Sequence, residues 1–166
     1  MLTDAQEKIN FMYKPYNPIH IANNFIEKSI IDKKSLSPMK LQKLMYFMYR
    51  DYYKETNQPL FSERFEAWKY GPVLSSVYMA FKNYGSGDIK NYCKDNSGQL
   101  LKINEDFNEK FKLIINKIWT TYKDYSGIAL SDITHRPGSA WHKSWMSSQL
   151  FLSDENILLE TETSIE

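Results

Sequence analysis

The chain has 166 residues and a mass of 19.7 kDa, with 42% hydrophobic, 25% charged and 15% aromatic residues. That is enough for one domain with a real core, and it excludes a chain disordered throughout. The formal charge of +1 supplies no strong pull towards nucleic acid or acidic membranes, and a single cysteine, Cys93, excludes an intrachain disulfide and a cysteine-built zinc site.

One cysteine is what a reducing cytoplasm leads one to expect. No stretch approaches about eighteen apolar residues, and the start MLTDAQEKIN lacks a basic-then-apolar leader, so neither a membrane span nor secretion is expected. Charge is unevenly spread. Asp154, Glu155, Glu160, Glu162 and Glu166 fall in residues 153–166, which hold no Lys or Arg, and the body upstream is left at about +6. The chain therefore divides into an N-terminal extension (1–17), one domain (18–152) and an acidic tail (153–166), the tail expected to be peripheral.

In chain order, Asn17-Pro18 gives a cap and an N1 proline, and Ile19, Ala22, Ile26 and Ile30 recur behind it at helical spacing to about Asp32. Ser37-Pro38 repeats the signal. Leu41, Leu44, Met45, Met48, Tyr49 and Tyr52 then form an apolar stripe that ends at Asn57, Gln58 and Pro59. Residues 61–70 partly alternate and read as a short strand broken by Gly71-Pro72. Val73, Val77, Tyr78 and Phe81 mark a third helix closed by Gly85.

Residues 89–94 and 99–103, around Asn96-Ser97-Gly98, read as a hairpin. Phe107, Phe111, Ile114, Ile115, Ile118, Trp119 and Tyr122 give a long amphipathic helix, with Ser126 and Gly127 as stop signals. Two short helices follow, separated by Arg136-Pro137-Gly138, the second capped by Ser139 and carrying Trp141 and Trp145 one turn apart. The expected fold is mainly α (α+β): a compact bundle of about five to seven helices with a small β-hairpin or short sheet.

Catalytic motifs are absent. His135 and His142 lack metal-ligand spacing, Gly85-Ser86-Gly87 follows a helix where a dinucleotide fingerprint needs a strand, and no phosphate-binding loop occurs. Ser131, Asp132 and His135 are the residue types of a nucleophilic triad, but without a nucleophile elbow Asp132 reads as a local orienting or capping group. Neither metal nor cofactor is expected.

On the second helix Lys40, Lys43, Arg50 and Lys54 fall opposite the apolar stripe with Phe47 among them. Such a face could dock an acidic partner or stack a base, or Phe47 could pack under another helix while the lysine stems snorkel around it. Trp68, Lys69 and Tyr70 set large rings beside the Gly71-Pro72 turn, either as interface anchors or as the seal of a structural corner, and the burial of Trp68 distinguishes the two.

SLSPMKLQKLMYFMY, then FEAWKYGPVLSSVYMAF, then LSDITHRPGSAW (130–141) occur in an order that resembles the Panacea domain of the SocA-like antitoxin family, over residues 19–146. The resemblance implies a non-enzymatic protein-binding module, found in phage-associated and toxin–antitoxin settings. Such a module neutralises a cognate toxin protein encoded beside it by direct contact. It also implies a Clp-type protease as a second partner, through delivery of the toxin, and Gly71, Pro72, Thr134, His135 and Trp141 as structural motif residues. The partner-binding assignment, Lys40, Lys43, Phe47, Arg50, Trp68, Lys69 and Tyr70, rests on the basic face and the Trp68 corner. The alternative is a nucleic-acid-binding regulator using that basic face, against which the supply of only three arginines, Arg50, Arg64 and Arg136, argues.

Overall fold

The computed structural model describes residues 15–163; the first fourteen residues of the expected N-terminal extension lie outside them. Among the described residues there are seven α-helices: α1 (Pro18–Asp32), α2 (Pro38–Thr56), α3 (Ser75–Phe81), α4 (Glu109–Tyr122), α5 (Gly127–Thr134), α6 (Ala140–Met146) and α7 (Asp154–Leu158). The two strands are β1 (Glu66–Trp68) and β2 (Gly71–Val73), paired antiparallel with Trp68 opposite Gly71. The fold is therefore mainly α with a small hairpin.

The start signals act as the sequence says. Asn17 Oδ1 accepts from the Ile19 amide at 2.9 Å and Ser37 Oγ from the Lys40 amide at 3.2 Å, each before an N1 proline. Lys33 and Asn57 close α1 and α2 in the left-handed conformation.

α2 is the axis of the domain. Thirteen of its residues, Lys40 through Tyr52, are buried, because α4 and α5 pack on one side and the hairpin, α3 and α7 on others. A helix enclosed all round has no solvated face, which overrides the amphipathic reading of its sequence. Its rings knit the core: Phe47 stacks on Tyr122 at 4.7 Å, and Tyr46 meets Phe65 edge-on at 5.2 Å.

Several local expectations are corrected. The strand is shorter than residues 61–70, and Gly71-Pro72 starts β2 instead of ending the extended segment, so α3 begins only at Ser75. Residues 89–103 form no hairpin. Side chains of α1 occupy the backbone groups a ladder would use: Asn24 accepts from the Ile103 amide at 2.7 Å and donates to its carbonyl at 2.9 Å, while Asn23 bonds Cys93 and the Leu101 carbonyl.

α4 starts at Glu109, capped by Asn108, and Phe107 sits before it in a 3₁₀ turn, 89% exposed. Ser126 is no stop signal either, since its Oγ accepts from the Ala129 amide and begins α5. Nor is the acidic tail peripheral: Ile157 and Thr163 are buried, and the end of the domain before it, residues 150–152, runs beside β1 through Ala67 N–H to Leu150 and Leu152 N–H to Phe65.

Candidate functional site

The structure separates the seven residues of the expected partner-binding site. Lys40, Lys43, Phe47 and Arg50 are buried, so they form no solvated basic docking face, and Phe47 instead packs under another helix, stacked on Tyr122. Each cation has an internal partner. Lys40 Nζ donates to the carbonyls of Ser35 and Lys123, and Lys43 Nζ donates to the Pro72 carbonyl at 3.1 Å. Arg50 pairs with Asp51 at 2.9 Å and lies 5.1 Å over the Phe47 ring, and Lys54 Nζ donates to the Glu160 carbonyl. Long stems crossing apolar surface to reach carbonyls explain how a buried helix can read as basic.

Lys43 belongs instead to a structural knot with the signature residues. Gly71 adopts φ +113°, and its Cα packs so tightly that an added Cβ would stand 2.6 Å from Thr134 Oγ1 and 2.8 Å from Lys43 Cε. Thr134 Oγ1 donates to the Ser131 carbonyl, and the Ser131 hydroxyl donates to the Tyr70 carbonyl at 2.6 Å, tying α5 to the hairpin turn. The Ser131 hydroxyl is thus engaged by the hairpin turn, and Asp132 is exposed.

The His135 ring lies 4.1 Å from Trp141, its Nε2 without a hydrogen-bond partner. Burial, then the neighbouring Lys43 amine, lowers its pKa. Burial likewise pulls the Lys43 amine down to about 7.

The Trp68 corner is where the molecule meets solvent. Trp68 is half-buried, its ring 4.7 Å edge-on to Tyr78, while Lys69 and Tyr70 at the turn are exposed. Trp141 Nε1 donates to the Trp68 carbonyl at 2.7 Å, and Trp145 stacks on Trp141 at 5.3 Å and 17°. Tyr78, Trp68, Trp141 and Trp145 therefore form a linked series of rings from α3 across the hairpin to α6. Tyr70 (55% exposed), Trp145 (44%) and Met146 (70%) present apolar area along it. A face of aromatics and Met with a lysine at its edge has the composition of a protein-binding hot spot. Sequence reasoning reached Trp68, Lys69 and Tyr70 but missed Trp145 and Met146, although the one-turn spacing of Trp141 and Trp145 was a signal for the pair.

Chemically the face offers aromatic and methionine contact area with the exposed Lys69 amine over the Tyr70 ring. Among the described residues no three His, Cys, Asp or Glu side chains gather as metal ligands, and no helix is long and apolar enough to cross a membrane.

A helical domain with a short hairpin and an aromatic face defines the class, and comparison supplies the family. The family described as "Antitoxin SocA-like, Panacea domain" matches residues 41–142, which include most of α2, the hairpin and the Thr134-His135 and Trp141 motif; the chain belongs to this family. It is 30% identical over 124 residues to the protein named Antitoxin SocA of Caulobacter vibrioides (strain NA1000 / CB15N), an overlap covering 73% of this chain and 66% of that protein. The chain thus spans just under two thirds of the length of the curated relative it matches. No solved structure gives a significant match.

Proposed function

We propose that this protein is an antitoxin that binds a cognate toxin protein, encoded by the adjacent gene, and masks it by direct contact through the hairpin and α6 face. Membership of the antitoxin family supports the role. The observation that carries the location is the linked aromatic series from Tyr78 to Trp145, with Tyr70, Trp145 and Met146 largely open to solvent while the rings behind them are fixed by hydrogen bonds and stacking. Rigid aromatic anchors lose little conformational freedom on binding, so they convert buried area into affinity efficiently.

The protein works by binding and not by turnover, in the cytoplasm, with a Clp-type protease as a further partner for removal of the captured toxin. Co-expression with the product of the adjacent gene tests this: growth rescue together with a co-purifying complex supports masking, and rescue without a complex refutes it. In a complex that does form, Tyr70→Ala and Trp145→Ala must each weaken binding.

A further inference from the structure

The acidic segment that follows the domain is bound by α2. Glu160 is its central contact: one carboxylate oxygen accepts from the Tyr46 hydroxyl at 2.5 Å and from the Ala140 amide at 2.8 Å, and the other stands 3.6 Å from Arg50. Around it Tyr49 donates to Asp154 at 2.8 Å, Arg50 Nη2 donates to Thr163 Oγ1 at 3.1 Å, and the Thr163 amide donates to Asp51 at 3.2 Å. Two of the basic residues of α2 meet this segment, Arg50 at the Glu160 carboxylate and Lys54 at the Glu160 carbonyl.

Ala140 is the first residue of α6, and the next is Trp141, whose indole holds the Trp68 carbonyl and whose ring carries Trp145. α6 has seven residues, too few to be stable without packing, so its place depends on what holds its ends. Ser139 caps it from its own sequence, with Oγ accepting from the His142 amide at 3.0 Å. Glu160 holds the same end from a different element, bridging it to Tyr46 and Arg50 in the centre of α2.

We infer that Glu160 is a positioning residue for the docking face: its carboxylate fixes the start of α6 against α2, and withdrawal of the acidic segment releases Trp141 and Trp145 from their register with the hairpin. The inference rests on the toxin-binding reading above. It makes the C-terminal segment a latch whose engagement sets the partner-binding competence of a face it does not itself form.

The test uses the full chain with Glu160→Gln, which keeps the size and loses the charge, and Tyr46→Phe, which removes one donor and keeps the ring. Two readings are taken on each: amide exchange in residues 140–146 against residues 38–56, and affinity for the co-purified product of the adjacent gene. The latch predicts exchange about tenfold faster in α6 with α2 still protected, and affinity about tenfold weaker, in both variants. Unchanged exchange in α6 overturns the inference whatever the affinity.

Faster exchange with wild-type affinity also overturns it, and the Tyr70→Ala control then identifies what failed. Weakened binding in that control leaves the docking face standing without a latch, whereas unweakened binding shows that the face itself is misplaced. Should Glu160→Gln unfold the domain, Tyr46→Phe decides by the same two readings.

Discussion

Gly71 lies against the side chain of Lys43 so closely that a Cβ on it would stand 2.8 Å from Lys43 Cε, with the backbone at φ +113°. Gly71→Ala therefore meets two penalties at once: a left-handed backbone that side chains resist, and a clash with Thr134 and a lysine stem that is buried and cannot swing away. The expected loss is about 3–5 kcal/mol of stability, read from the urea midpoint. A loss below about 1 kcal/mol would mean that the hairpin turn can shift away from α2 and α5.

Lys43 itself gives stability a pH dependence with a definite sign. Burial lowers its amine to about 7 in the folded chain, against 10.5 when exposed. Between these values the unfolded chain holds more protons, so this residue makes stability rise with pH; below about 7 both states are protonated and the cost of a buried ammonium is fully present. Lys43→Met should remove a slope of up to about 1.4 kcal/mol per pH unit between roughly pH 7 and 10. Urea unfolding of both proteins across that range measures it, and parallel profiles would show that the folded amine stays charged. Lys43→Glu should unfold the domain, since it would replace the donor to the Pro72 carbonyl by a buried carboxylate that repels that oxygen.

The legible parts of the fold were those written in local chemistry. Asn17-Pro18, Ser37-Pro38 and Ser139 cap helices because a side-chain oxygen within three residues is all a cap requires. The Trp68–Tyr70 corner was legible for a similar reason, as rings beside a rigid turn. What failed depended on distant partners. The Lys40, Lys43 and Arg50 face read as rimmed by solvent because the Lys123 and Pro72 carbonyls that receive the two lysines, and Glu160 beside Arg50, lie far from these residues in sequence. The expected hairpin at 89–103 failed because its alternation is answered by two asparagines some 70 to 80 positions earlier.

Those asparagines make a separate prediction. Asn24 satisfies both the amide and the carbonyl of Ile103, which is itself buried in the core. Asn24→Ala leaves two buried backbone groups unpaired and should cost on the order of 3 kcal/mol. The loss should be local as well as global: amide exchange should quicken across residues 89–103 before it does in α2. Uniform protection in the variant would mean that packing of Ile89 and Ile103, and not the side-chain bonds, holds the segment.

The docking face allows a cleaner separation of binding from folding than the buried residues do. Tyr70 is 55% exposed and its ring lies 5.3 Å from the exposed Lys69 amine, so Tyr70→Ala should leave the melting temperature within a few degrees of wild type. Trp145→Ala removes the stacking partner of Trp141 and should cost about 1 kcal/mol of stability. If the face is an anchor for the toxin, each change weakens the complex by about 2 kcal/mol or more, roughly thirtyfold in dissociation constant, because truncated anchors lose contact area and admit water to the centre of the interface. Titration of the purified partner into wild type and both variants reads this directly. Wild-type affinity in both, with the fold intact, would place the toxin on another surface of the domain.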